Sequence, residues 1–133
     1  MAIIRGRQLV DIAVKSQQHL DAVLAELLPT IQSSLANTCQ KDTGRMASSF
    51  YVIPSDSIPP AYRPDSWAPK GSKRVELLRY TGKIEAKAGD WSVINSLPYV
   101  ERVAFIPPWN KYPWFQEVVN QVPRFIDAAV RNQ

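Results

Sequence analysis

The sequence predicts one α+β domain: an antiparallel sheet of about four strands, with a long N-terminal helix and a C-terminal helix packed on it. Three observations lead there. Apolar residues recur at helical spacing near both ends of the chain, at 9–35 and at 114–130. Between these ends lie short alternating stretches rich in β-branched and aromatic residues. Strands grouped between helices, with no βαβ alternation, fit a sheet covered by helices on one face. A length of 133 residues matches a single domain, 1–133, with a proline-rich loop at 54–72.

The first helix rests on Leu9, Ile12, Ala13, Leu20, Val23, Leu24, Leu27, Leu28, Ile31 and Leu35. Lys15, Gln18, Asp21, Glu26 and Gln32 are assigned to its polar side. Pro29 removes a backbone bond and crowds the carbonyl of Ala25, which predicts a kink or break just before it. So long a stripe either crosses the sheet or packs one end on a neighbouring subunit. Gly44 then supplies a positive φ where the helical region ends. Residues 46–53 read as a strand, with Ser48, Phe50 and Val52 on one face.

Pro54, Pro59, Pro60, Pro64 and Pro69 deny the next stretch a continuous helix or a central strand. Tyr62 and Trp67 lie within it. They either pack onto a partner or tuck back onto their own domain. The first alternative makes the loop mobile in the free subunit and ordered on assembly. Residues 74–87 read as a hairpin turning at Thr81-Gly82. Between positions 63 and 87 there are seven basic residues against three acidic ones, an excess equal to the whole net charge of +4. Lysines also protect edge strands from pairing, so this excess alone names no partner.

Gly89-Asp90 marks a turn, and Trp91, Val93 and Asn95 alternate with Ser92, Ile94 and Ser96 as a strand. Ser96 can cap a short helix carrying Leu97, Val100, Val103 and Ala104. A rigid aromatic loop, 106–113, follows. Pro113 opens the last helix, whose stripe is Trp114, Phe115, Val118, Val119, Val122, Ile126, Ala129 and Val130. Pro123 should bend it.

The chemistry-bearing residues are sparse. One cysteine, Cys39, excludes an intrachain disulfide and reads as a small buried residue near a helix end. The single histidine, His19, reads as a helix-surface residue. Asp42, Asp90 and Glu101 form no catalytic pair, so no enzymatic activity, metal or cofactor is expected. No apolar run approaches the roughly 18 residues of a membrane span, and the N-terminus lacks a secretory pattern. Synthesis and retention in a cytoplasm, without membrane partners, are expected.

Three pieces carry a resemblance. Asp42-Thr43-Gly44-Arg45-Met46-Ala47-Ser48-Ser49-Phe50 follows a helical region; Ile94-Asn95-Ser96-Leu97-Pro98-Tyr99-Val100-Glu101-Arg102 follows a strand; an amphipathic helix closes the chain. Together, over about residues 20–130, these resemble the tail-completion or neck proteins of tailed bacteriophages, which join head to tail. The chain departs from that pattern at Phe105-Ile106-Pro107-Pro108, where the family often has a glycine-containing turn. The resemblance implies a virion structural protein, made in the host cytoplasm, forming a commonly hexameric ring. Its neighbours would be a head connector or stopper and a tail terminator or tail tube protein, with DNA passing through without sequence-specific binding. Candidate interface residues are Tyr62, Trp67, Arg74, Tyr99, Glu101, Arg102, Trp109 and Trp114. The competing expectation is a small basic nucleic-acid-binding module using Arg74, Arg79, Lys83 and Lys87 with Tyr80 and Trp91.

Overall fold

Leucines three and four residues apart make one face of a helix continuous, and here that face becomes the centre of the molecule. The computed structural model describes residues 2–4, 17–41 and 43–133. Within them the first helix, α1, spans Gln17–Thr38. The predicted positions Leu9, Ile12 and Ala13, and also Asp42, lie outside the described residues. From Leu20 to Leu35 the stripe is buried within this one chain, continued by Ala36 and Cys39. It packs on the sheet along part of its length and on the C-terminal helix along the rest. This described part of the stripe is covered within the chain.

Of the kink or break expected at Pro29, the break does not occur: the helix continues through it. The carbonyl deprived of a partner belongs to Ala25, which is exposed, so water can serve it. Gln32 corrects the assigned polar face: it is fully buried. Its Nε2 donates to Phe50 O at 2.8 Å and to Leu78 O at 3.0 Å. Its Oε1 accepts from Arg79 Nη1 at 2.9 Å.

The sheet is smaller than four strands. Its body is an antiparallel pair, β2 at Tyr51–Pro54 and β3 at Trp91–Ile94, with Val52 opposite Val93. A three-residue strand, β1 at Ala2–Ile4, pairs antiparallel with the other edge of β3. Val52, Trp91 and Val93 join the helix-facing core. The predicted strand at 46–53 begins late, because Ala47–Ser49 forms a 3-10 turn. That turn is fixed by Ser48 N bonding Gly44 O at 2.9 Å.

The predicted hairpin at 74–87 does not form. These residues run extended without a ladder and end in a 3-10 turn at Ala86–Ala88. Val75 and Leu77 are half-buried against the core while Glu76 and Leu78 face outward. Alternation here reports one-sided burial of an extended chain. The segment is held by scattered bonds: Arg74 N to Thr43 O at 3.1 Å, Glu76 N to Ser48 Oγ at 2.9 Å and Ala86 N to Asp21 Oδ1 at 2.7 Å.

After β3, Ser96 does not cap the short helix α2, which starts later and spans Val100–Phe105. Asn95 takes the organising role. Fully buried, it donates to Met46 O at 2.8 Å and accepts from Leu97 N at 3.2 Å. The last helix, α3, spans Trp114–Arg131 and runs through Pro123. Trp114, Val118 and Ala129 are buried, with Phe115, Val122, Phe125, Ile126 and Val130 packed partly against the core. Two helices on a short antiparallel sheet is the α+β arrangement the sequence predicts, with fewer strands.

Candidate interaction surface

Two regions at the ends of α1 and α2 carry exposed chemistry. The first is the loop between α2 and α3. It exposes Phe105 (58%), Ile106 (49%), Trp109 (49%) and Tyr112. Phe105 leans edge-on against Phe115 at 5.3 Å, and the Arg102 guanidinium covers the Trp109 ring at 5.2 Å.

This ridge is fixed from below. Asn110 Nδ2 donates to Val103 O at 2.8 Å, to Ala104 O at 3.1 Å and to Tyr112 O at 2.9 Å. The first two are carbonyls of α2, so one side chain ties helix end to loop. Gln40, just beyond α1, makes a reciprocal pair: its Nε2 donates to Trp109 O at 2.9 Å, and its Oε1 accepts from Lys111 N. The Tyr112 hydroxyl donates to Thr38 O at 2.6 Å. The backbone of an apolar ridge is thus held in one shape, which lowers the entropy lost when something docks on it.

The second region surrounds Arg45, which leaves the Gly44 turn. Its guanidinium lies over Tyr62 at 5.3 Å and over Tyr99 at 5.8 Å. It also donates to Arg63 O and pairs with Asp65. Asp65 is 93% exposed, so that pair adds little stability. Trp67 sits close by between Arg63, at 4.9 Å, and Arg74, at 4.3 Å. Each such contact contributes about 0.5–1 kcal/mol at an exposed site.

The proline-rich loop is therefore packed on its own domain. Tyr51 Oη donates to Ala61 O at 2.7 Å, and Arg63 N donates to Ser49 Oγ at 3.0 Å. Tyr62 and Trp67 face arginines of this same chain. Of the two alternatives left open by the sequence, the structure has the loop tucked back onto its own domain. Of the other expected interface residues, Glu101 and Arg102 are exposed on α2 and Tyr99 is half-buried. Arg74 pairs with Glu76 at 2.9 Å. Trp114 is 1% exposed, lies edge-on to Phe50 at 6.2 Å, and belongs to the core. An interface role for it is corrected on that ground.

The basic set behind the nucleic-acid expectation is engaged within the chain. Trp91 is completely buried, with Nε1 donating to Glu85 O, so it has no open face on which a base could stack. Lys83 and Lys87 both pair with Glu85. Hydrogen bonding to Glu85 holds Lys83 above its ordinary pKa. Arg79 is spent on Gln32, Ser33 and Pro29.

Among the described residues no three histidines, cysteines or carboxylates converge on a metal position, and no helix is long and apolar enough to cross a membrane. Cys39 is buried just beyond α1. Burial raises its thiol pKa from 9.0 to about 11, with Lys41 opposing. The unfolded thiol ionises first as pH rises, so stability is present below about pH 9 and declines up to about pH 11. Urea midpoints measured across that interval should fall, and Cys39→Ala should remove about 3 kcal/mol of the fall. An equal fall in the variant would sink this account.

Sequence reading missed Gln40 and Asn110, the two residues that shape the ridge. Gln40 acts on residues 69 and 71 positions away, beyond any local pattern. No family model, curated protein or solved structure matches this chain.

Proposed function

We propose that this chain is a structural subunit of a tailed-bacteriophage neck, joining a ring between the head connector and the tail. Its motif order supports the reading, and the observation that carries it is the fixed apolar ridge of Phe105, Ile106, Trp109 and Tyr112. An exposed patch of large apolar side chains on a rigid backbone serves docking better than solubility. The ridge would receive a connector or stopper protein on one side of the neck, or a tail terminator or tail tube protein on the other. DNA would pass through the ring without base recognition. Hexameric closure is what the resembling family implies, and identical subunits usually close on a symmetry axis.

No reaction is assigned. Cys39 is a neutral, buried thiol at ordinary pH, and alanine at His19, Cys39 or Glu101 should alter stability or assembly alone. A turnover that vanishes with one of these changes in a folded protein would reverse that assignment.

The test is assembly. Particles made with Trp109→Ala or Phe105→Asp should accumulate filled heads and separate tails, while the purified variants stay folded, with melting temperatures lowered by only about 5 °C for the one lost ring contact. A central aromatic anchor contributes about 2 kcal/mol or more, so partner affinity should weaken roughly 30-fold. Normal head-to-tail joining in particles that lack the chain altogether would exclude a neck role.

A further inference from the structure

The groove beside Arg45 and the turn after β2 differ in charge and shape in a complementary way. The groove encloses about 500 Å3. Met46, Tyr99 and Val103 supply its apolar wall, and Lys41, Arg45 and Lys111 line it as well. Asp65 is the one carboxylate among the described lining residues, and Arg45 already holds it. Lys41 Nζ donates to the carbonyls of Asn37 and Cys39, and among the described residues no carboxylate pairs with it. The Lys111 ammonium has no carboxylate partner among the described residues. Among the described lining residues, cations outnumber the carboxylate three to one.

At the other end of β2 the chain turns through Ser55-Asp56-Ser57-Ile58, closed by Ser57 N bonding Pro54 O at 3.0 Å. Ile58 is 94% exposed, and Asp56 is exposed beside it. The turn follows the last residue of β2, whereas Met46 precedes its first. The chain returns to the groove end only at Arg63, whose amide meets Ser49. Turn and groove therefore cannot meet within one molecule without undoing β2 and its loop.

We propose that the 55–58 turn of one copy seats in the Arg45 groove of the next. Asp56 meets Lys111 and Lys41, and Ile58 covers Val103 and Met46. The occupant is a second copy because both halves of the match lie on this chain. One is a projecting turn with a carboxylate and an isoleucine two residues apart; the other is a groove with surplus cations beside an apolar wall. The two patches differ, so the contact is head-to-tail, the kind that closes rings or extends filaments. This inference rests on the ring reading above and gives that ring its two faces.

Paramagnetic broadening between copies tests it. A nitroxide is attached at Ala61→Cys, exposed and outside the contact, in a Cys39→Ala background. That chain, without isotope label, is mixed with isotope-labelled wild-type chain at millimolar concentration, where weak contacts are populated. The amides of Thr43, Gly44, Val103 and Lys111 should broaden. Asp56→Lys in the spin-labelled chain should remove at least three quarters of the effect, taking roughly a tenfold loss of affinity per lost charge contact. Pairing it with Lys111→Asp in the other chain should restore the broadening. Absence of broadening at the groove, broadening centred elsewhere, or indifference to Asp56→Lys overturns the proposal. A ring seen in particles whose subunits meet elsewhere would end this inference and keep the neck role. Groove broadening in a chain absent from the particles would do the reverse.

Discussion

Gly44→Ala is expected to leave most of the protein unfolded at temperatures where the wild type is folded. Gly44 has φ +89°, a conformation that costs an alanine about 1–2 kcal/mol by itself. The larger effect is contact. A Cβ at this position would lie 1.7 Å from Arg74 O, 2.5 Å from Arg74 C and 2.6 Å from Arg74 N. All three are backbone atoms, so no side chain can swing aside. Arg74 is also fixed in place: its amide donates to Thr43 O at 3.1 Å, and its carbonyl accepts from Ser48 Oγ at 3.3 Å. Relief requires pulling the extended 74–80 segment off the core, which exposes Val75 and Leu77. The total loss should exceed about 3 kcal/mol, a large share of the roughly 5–15 kcal/mol that stabilises a domain. Thermal unfolding should shift down by about 10 °C or more. A melting temperature within about 2 °C of wild type would show that the backbone approach is looser than described.

Gln32→Leu should come next in magnitude. Leucine fills nearly the same volume and is apolar, so a reading based on hydrophobic periodicity alone expects stabilisation. The bonds argue the opposite. The Phe50 and Leu78 carbonyls lose their shared donor, and the Arg79 guanidinium loses one acceptor while keeping Ser33 at 2.8 Å. A buried group left without a partner costs about 1–3 kcal/mol. With Phe50 O buried and Leu78 O partly so, the loss should total about 2–4 kcal/mol. Urea unfolding measures it. Trypsin should also cut after Arg79 faster, because the same amide pins that segment to α1. Unchanged stability together with unchanged cleavage would mean that water replaces the amide at no cost.

These two positions show what the sequence could and could not reveal. Gly44 was legible, since Thr-Gly after a helical region marks a positive φ; its closeness to Arg74, 30 residues on, was not. Gln32 was legible in principle. It stands four residues after Leu28 and three before Leu35, squarely on the apolar stripe. Residue polarity assigned it to the wrong face, where helical geometry would have assigned it to the right one. The strand at 91–94 and the last helix were readable because their periods match one-sided burial. The hairpin failed for an instructive reason. Period-two alternation reports an extended backbone with one covered side, and a ladder partner is a separate condition that local sequence does not encode. The candidate surface was half legible. Exposed Trp109 was named from its loop, whereas Trp114, five residues later, shares its chemistry and is interior. Placement in the loop or on the core-facing side of the last helix decides between them, not residue type.

The irregular stretch between β2 and β3 has a consequence for amide proton exchange. Its position is set by side-chain hydroxyls, an aspartate, a glutamine and stacked guanidinium groups, with few of its own N–H groups engaged by carbonyls. Protection from deuterium depends on the N–H being bonded, not on the chain being still. Most of this segment should therefore exchange quickly, as a random coil would, while the bonded amides stand out as slow sites: Arg63, Arg74, Glu76 and Ala86, held by atoms outside the stretch, and Ser55, Ser57, Trp67, Ser72, Ala88 and Gly89, held by carbonyls within or beside it. A spectroscopist following deuterium uptake alone would class a quarter of the chain as unfolded, although its shape is held from outside its own backbone.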